Sequence, residues 1–225
     1  MISQASSFAT PTAWMNGGHL ARVVDVQDPQ GLSRVKVVML ATDPEAEAAL
    51  WARVAVPFAS DNCGAFFIPD VGDEVLVVFV AGASNMPIVV GSLWNGATKV
   101  PEALPGGRVD RWTITGRNGT HIAIIEDQPS GGRVEIETPL GSKAVVTDGS
   151  ITLSTGTNRI RMDEKGVSIE TGQKVEVKAS QVDVTAGMVS VNAAFSKFSG
   201  VVQCDTLITN SVVSSAYTPG AGNVW

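Results

Sequence analysis

The sequence predicts an all-β protein in two unlike parts: a five-stranded barrel, then a β-helical needle that one chain cannot build alone. Three observations carry this reading. Short β-branched runs separated by Gly, Pro and Asp turns fill residues 19–100. Paired apolar side chains recur at a step of mostly seven to nine residues between 134 and 191. The aromatic residues are also split, with five of the seven Phe before residue 80 and no Phe, Trp or Tyr from 127 to 194. Globular cores draw much of their buried area from aromatic rings, so the first part reads as globular and the second does not.

Residues 1–18 are polar, rich in small side chains and broken at Gly17-Gly18, which suits an extended arm. His19–Val26 alternates as a first strand, closed by the turn Asp28-Pro29-Gln30-Gly31. Arg34–Leu40 alternates as its hairpin partner. Asp43–Ala49 is rich in Ala and Glu and favours one or two helical turns over a barrel mouth. Trp51–Val56 alternates again and stops at Pro57. Pro69–Asp73 turns the chain into the strand Glu74–Val80, and Pro87–Trp94 is the last strand. Five strands and one helical connection over 19–100 suit a small OB-type barrel.

After a connector at 101–133, the segment 134–215 has a repeating grain. Its apolar pairs are Val134/Ile136, Ile151/Leu153, Ile160/Met162, Val167/Ile169, Val175/Val177, Val182/Val184 and Val189/Val191. Between some of them stand polar, Gly-bearing corners at Thr155–Asn158, Asp163–Gly166 and Thr171–Lys174. Each unit reads as a short strand with one narrow apolar face, then a tight turn. Burying these aliphatic side chains stabilises less than the backbone entropy lost on ordering the segment. A one-sided strip also has nothing in its own chain to cover it. A single-chain β-helix would have few coils and no evident caps, whereas three chains wound into a triangular prism bury the strip. The expected state is a homotrimer with these fourteen residues as its core.

Composition excludes several functions. The net charge is −6, and residues 1–100 carry five basic and nine acidic side chains. A groove that tracks phosphates needs the opposite balance, so no nucleic-acid partner is expected. Cys63 and Cys204 sit in no metal-ligand spacing and read as two inert buried thiols, with a single disulfide between them as the alternative. No GxSxG, HExxH or P-loop occurs, so no catalytic residue, cofactor or metal ligand is predicted. His121 reads as a strand residue facing solvent or a neighbouring chain, and Glu135 and Glu137 as solvated charge on the face opposite Ile136. Lys174, Glu176 and Lys178 alternate with Val175 and Val177, which suits an outer face that resists edge aggregation. The N-terminus lacks the basic and apolar regions of a signal peptide. The apolar run 75–83 is about half a bilayer crossing. Synthesis in the cytoplasm is expected.

The runs LARVVDVQDPQGLSRVKVVML (20–40), LWARVAVPFASDNCGAFFIPDVGDEVLVVFVAG (50–82) and PIVVGSLWNG (87–96) resemble the OB-fold domain of spike proteins in contractile injection systems. These are the VgrG-like and baseplate assembly protein V-like spikes of phage tails, type VI secretion and extracellular phage-tail-like particles. ITGRNGTHIAIIEDQPSGGRVEIETPLGSKAVV (114–146) is similar to the segment leading into such a spike's trimeric β-helix. The resemblance implies an OB-fold barrel followed by an intertwined trimeric β-helix (a β-prism). It implies docking on a baseplate hub protein, puncture of a target membrane that is touched only transiently, and room for effector cargo.

Two departures refine the expectation. Larger spikes carry an N-terminal hub domain, and here the barrel begins near residue 19, as in short spikes whose hub is a separate protein. Some short phage spikes end in a His-x-His metal apex, but the only histidines are His19 and His121. The chain closes instead with a Gly-rich, aromatic-ended segment at 216–225. Tyr217, Pro219 and Trp225 are the expected contacts for a PAAR-type tip protein; Trp225 packing on the prism's last layer is the competing reading. Two other functions compete with this reading: an oligonucleotide- or oligosaccharide-binding OB protein, and a trimeric fibre or adhesin. The latter wants Tyr and Trp along the shaft, which 127–194 lacks.

Overall fold

A computed structural model describes residues 17–40, 49–127 and 131–215. The expected helical turns at Asp43–Ala49 fall, but for Ala49, outside the described residues. So do residues 1–16 of the expected arm and all of 216–225. The described chain is all-β apart from a single 3-10 turn at Val80–Gly82.

Five strands close the N-terminal barrel: β1 (Gly18–Asp25), β2 (Val35–Met39), β3 (Leu50–Val54), β6 (Glu74–Phe79) and β7 (Pro87–Leu93), in the order β1-β2-β3-β7-β6. All neighbours are antiparallel except β3 and β7, which pair in parallel through Arg53–Ile88 and Val54–Val89. Strand side chains alternate between faces, so Ala21 and Val23, Val35 and Val37, Val75 and Val77, with Ala52, Phe79 and Val89, fill the interior. Small and β-branched residues suit the narrow space inside five strands. β-bulges interrupt β1–β2 pairing between Val23 and Asp25, and β6–β7 pairing between Leu76 and Val77; such bulges bend strands and help a small sheet close.

Turns at one barrel end are tightly held. Asp28 accepts backbone hydrogen bonds from Gln30 (3.0 Å) and Leu32 (3.0 Å), and its carboxylate takes a two-pronged ion pair from Arg34 at 2.8 and 3.0 Å. The Arg34 guanidinium also lies 5.8 Å from the centroid of Trp51, within cation–π range. In the 69–73 turn, Gly72 adopts φ +96° and donates to the Val23 carbonyl at 2.9 Å. That conformation is open to glycine and strained for other residues. Between β3 and β6 the chain forms a short two-stranded arm absent from the sequence expectation: β4 (Ala59–Ser60) paired with β5 (Cys63–Gly64).

The second sheet is a seven-strand antiparallel meander, β8 (Arg111–Thr115), β9 (His121–Asp127), β10 (Gly131–Glu137), β11 (Lys143–Thr147), β12 (Ser150–Thr155), β13 (Asn158–Asp163) and β14 (Gly166–Glu170), each paired with the next. Thr155–Asn158 and Asp163–Gly166 are hairpin turns within it. Contacts divide the chain after Gln173, with barrel and meander in the first unit. In the second unit no strand is present among the described residues, and every described residue is exposed.

The Arg34 ion pair, ahead of its backbone donors, holds the Asp28 carboxyl well below its ordinary value of 3.8. Because the native value is depressed, the associated stability is present above the unfolded value and is lost as pH falls toward the native one. Asp28→Asn should therefore lower barrel stability at pH 7 and flatten its decline between about pH 4 and 2. Thermal unfolding of both proteins across that range checks this; parallel profiles would refute it.

Candidate functional site: an uncovered apolar face

The meander's register builds the site. Trp112 pairs with Ile124, Ile124 with Val134, Val134 with Val146, Val146 with Ile151, Ile151 with Met162 and Met162 with Val167. Two residues along each strand, Ile114, Ile122, Ile136, Ala144, Leu153, Ile160 and Ile169 form a parallel row. Period two puts both rows on one face of the sheet.

Burial is inverted on β10 and β12 of this sheet. In a soluble sheet the apolar face is covered and the polar face meets water. Here Ile151 is 39% exposed and Leu153 47%, while Ser150, Thr152 and Ser154 between them are half-buried. The same alternation runs along β10, where Val134 and Ile136 are exposed and Arg133, Glu135 and Glu137 are not. Ile136, Ala144, Leu153 and Ile160, with the flanking turn residues, line an open apolar hollow of about 420 Å³. A contiguous face of this extent marks an interaction surface.

On the opposite face, charges pair along the ladder. Arg133 donates to Asp127 at 2.7 Å and also to Glu135, while Lys143 bridges Glu135 (2.7 Å) and Glu137 (3.3 Å). Burial pushes the Glu135 carboxyl upward, but Lys143 and Arg133 together win and hold it below its ordinary value. Glu135 is thus an ion-paired, largely covered carboxylate, which corrects the solvated role expected from sequence: period two gives the face, but not the cations that the neighbouring strands bring. His121 lies on this face with Nδ1 3.0 Å from Thr115 Oγ1 and Nε2 3.4 Å from Glu102. Glu102 also accepts from Arg111 at 3.3 Å, holding the incoming 100–110 segment on this side, where Ala123 and Ile125 are buried. Among the described residues no group of three or more His, Cys, Asp or Glu converges as a metal site would require.

Of the fourteen expected core residues, the structure brings eight together in the two rows: Val134, Ile136, Ile151, Leu153, Ile160, Met162, Val167 and Ile169. The remaining six, Val175, Val177, Val182, Val184, Val189 and Val191, are exposed in the second unit, Val177 at 71%. Sequence reading missed Trp112, Ile114, Ile122, Ile124 and Val146, which extend the rows over β8 and β9 and continue them through β11. The alternation W-x-I and I-x-I was visible, but Thr, Gly and buried Ala123 and Ile125 interrupt the simple V-x-V signature. Tyr217, Pro219 and Trp225 lie outside the described residues.

A closed barrel joined to a sheet with one uncovered apolar face defines a protein that presents a large interaction surface. Comparison with known proteins narrows this class. Residues 19–94 match the family described as type VI secretion system/phage-baseplate injector OB domain, and residues 133–196 match the phage baseplate V C-terminal trimerisation domain. Together they cover well over half of the chain. Similar proteins include the type VI secretion system spike protein VgrG4b of Pseudomonas aeruginosa, 39% identical over 36% of this chain and 11% of its own length. VgrG1c of the same organism is 36% identical over 28% of this chain and 9% of its own. A Vibrio cholerae protein named actin cross-linking toxin VgrG1 is 25% identical over 66% of this chain and 14% of its own. The chain thus spans about a tenth of the length of these relatives. It belongs to the VgrG-like and baseplate V-like family of contractile-injection spike proteins, with an OB-fold barrel and a trimerisation domain of the β-helical needle type. Family membership supports a structural, spike role and a homotrimer.

Ile151→Asp or Leu153→Asp should abolish trimers, because one substitution places three carboxylates around a shared apolar interior. Ser154→Asp, on the opposite face and in register with Lys143, should leave them intact. Light scattering of the three variants checks this, and an intact Leu153→Asp trimer would show that the inward face is wrongly assigned.

Proposed function

We propose that this chain is the central spike of a contractile injection machine, assembled as a homotrimer in which other copies cover the two apolar rows and the Val175–Val191 pairs. The observation that carries the reading is the inverted burial on β10 and β12 of the meander, together with 42 described residues of the second unit that are all exposed in a single chain. Backbone groups left without partners are costly, and three wound copies supply both the covering surface and the missing partners. The barrels form a collar that docks on a baseplate hub protein, and the shaft transmits the force of sheath contraction to a target membrane. Residues 216–225, with Tyr217, Pro219 and Trp225, carry a PAAR-type tip protein. The role is mechanical, with no chemistry of its own. The chain is made in the cytoplasm and built into a phage-tail-like particle, which can also carry effector cargo.

The purified chain should run at about three times 23.4 kDa by light scattering, and a monomer would end the spike reading. Deleting residues 217–225 should abolish capture of a PAAR-type protein while leaving that mass per residue and the trimer unchanged. Undiminished capture would remove the tip role from this segment.

A further inference from the structure

A second apolar feature stands apart from the two rows. Phe58, Phe66 and Phe67 flank the β4–β5 arm, and all three rings are exposed, Phe66 at 76%. The arm is stiff. Asn62 turns it with φ +51°, Ala65 donates to the Phe58 carbonyl at 3.1 Å, and Gly64 lies so close to that carbonyl that an added Cβ would sit 3.0 Å from it. Three exposed phenyl rings on a preorganised hairpin are an expensive surface to leave in water and have the composition of an interface anchor.

Strand directions place the arm. β3 runs parallel to β7 and antiparallel to β2, and β6 is antiparallel to β1 and β7. The end of β3, the start of β6 and the end of β7 therefore lie at one end of the barrel, with the β4–β5 arm between the first two. The chain leaves for the meander from this same end, and Asp70 there forms an ion pair with Arg117 of the β8–β9 turn. The uncovered rows begin on β8, at Trp112 and Ile114. The phenyl arm thus stands at the barrel–shaft junction, where the apolar surface of the shaft starts.

We propose that the β4–β5 arm docks on a second copy of this chain, carrying the inter-copy interface from the shaft onto the collar; this rests on the trimer reading. Shaft assembly gathers three junction ends around one axis, so each arm meets another copy at high effective concentration. The arm's contact lies outside both the 133–196 trimerisation match and the two apolar rows.

The test places the photo-crosslinker benzoylphenylalanine at Phe66 or Phe67 in the full chain, with the light-scattering mass of each variant as the trimer control. Irradiating purified protein, with no other component present, should give covalent dimers and trimers from Phe66 and Phe67. A trimer mass without any crosslinking from Phe66 or Phe67 would overturn the proposal while leaving the trimer standing. Adducts from Phe66 and Phe67 that form only after another protein is added would overturn it too. Loss of all inter-copy products, with a monomer mass for the unmodified chain, would overturn the proposal and the trimer reading together.

Discussion

The Trp112–Val167 and Ile114–Ile169 rows, apolar and uncovered within one chain, are the constraint on which the rest of the sheet depends. In one chain those side chains face outward while their polar neighbours are partly covered. An isolated sheet cannot relieve this by adjusting register, because a one-residue slip would turn every apolar residue onto the charged face. Only a partner surface resolves it. Identical strips on identical chains of a trimerisation domain make a rotationally symmetric closure the simplest solution.

The barrel obeys a different constraint. Five strands close on themselves, so its edges disappear and its small apolar core is complete within one chain. It can be held by local devices such as the Asp28–Arg34 pair and Gly72. The shaft inverts this economy, since each chain holds only part of a core. Thus one polypeptide joins a self-sufficient module to an unfinished one, an arrangement suited to a part whose rigidity is wanted only after assembly.

The charged face has its own place in that scheme. Arg133, Glu135, Glu137 and Lys143 are joined across strands, and Lys174, Glu176 and Lys178 pair along the second unit. The exposed pairs among them add little stability. Their value is that opposite charges sit side by side, which keeps a long β surface wet and discourages further stacking.

Much of this was legible in the residues. Alternation located all five barrel strands and the all-β class, and the paired Val, Ile and Leu positions from 134 to 169 identified the face that the structure leaves uncovered. The sequence also marked the Val175–Val191 pairs, which are exposed in the second unit. Other features needed coordinates. The β4–β5 arm rests on two-residue strands too short for any periodic signal. The extension of the rows through Trp112, Ile124 and Val146 depends on register, and the Glu135–Lys143 pairing depends on which strands become neighbours. Period and composition are local properties and were therefore written in the sequence itself. Which side chains become neighbours across strands is a long-range outcome of closure and register, and only the tertiary structure decided it.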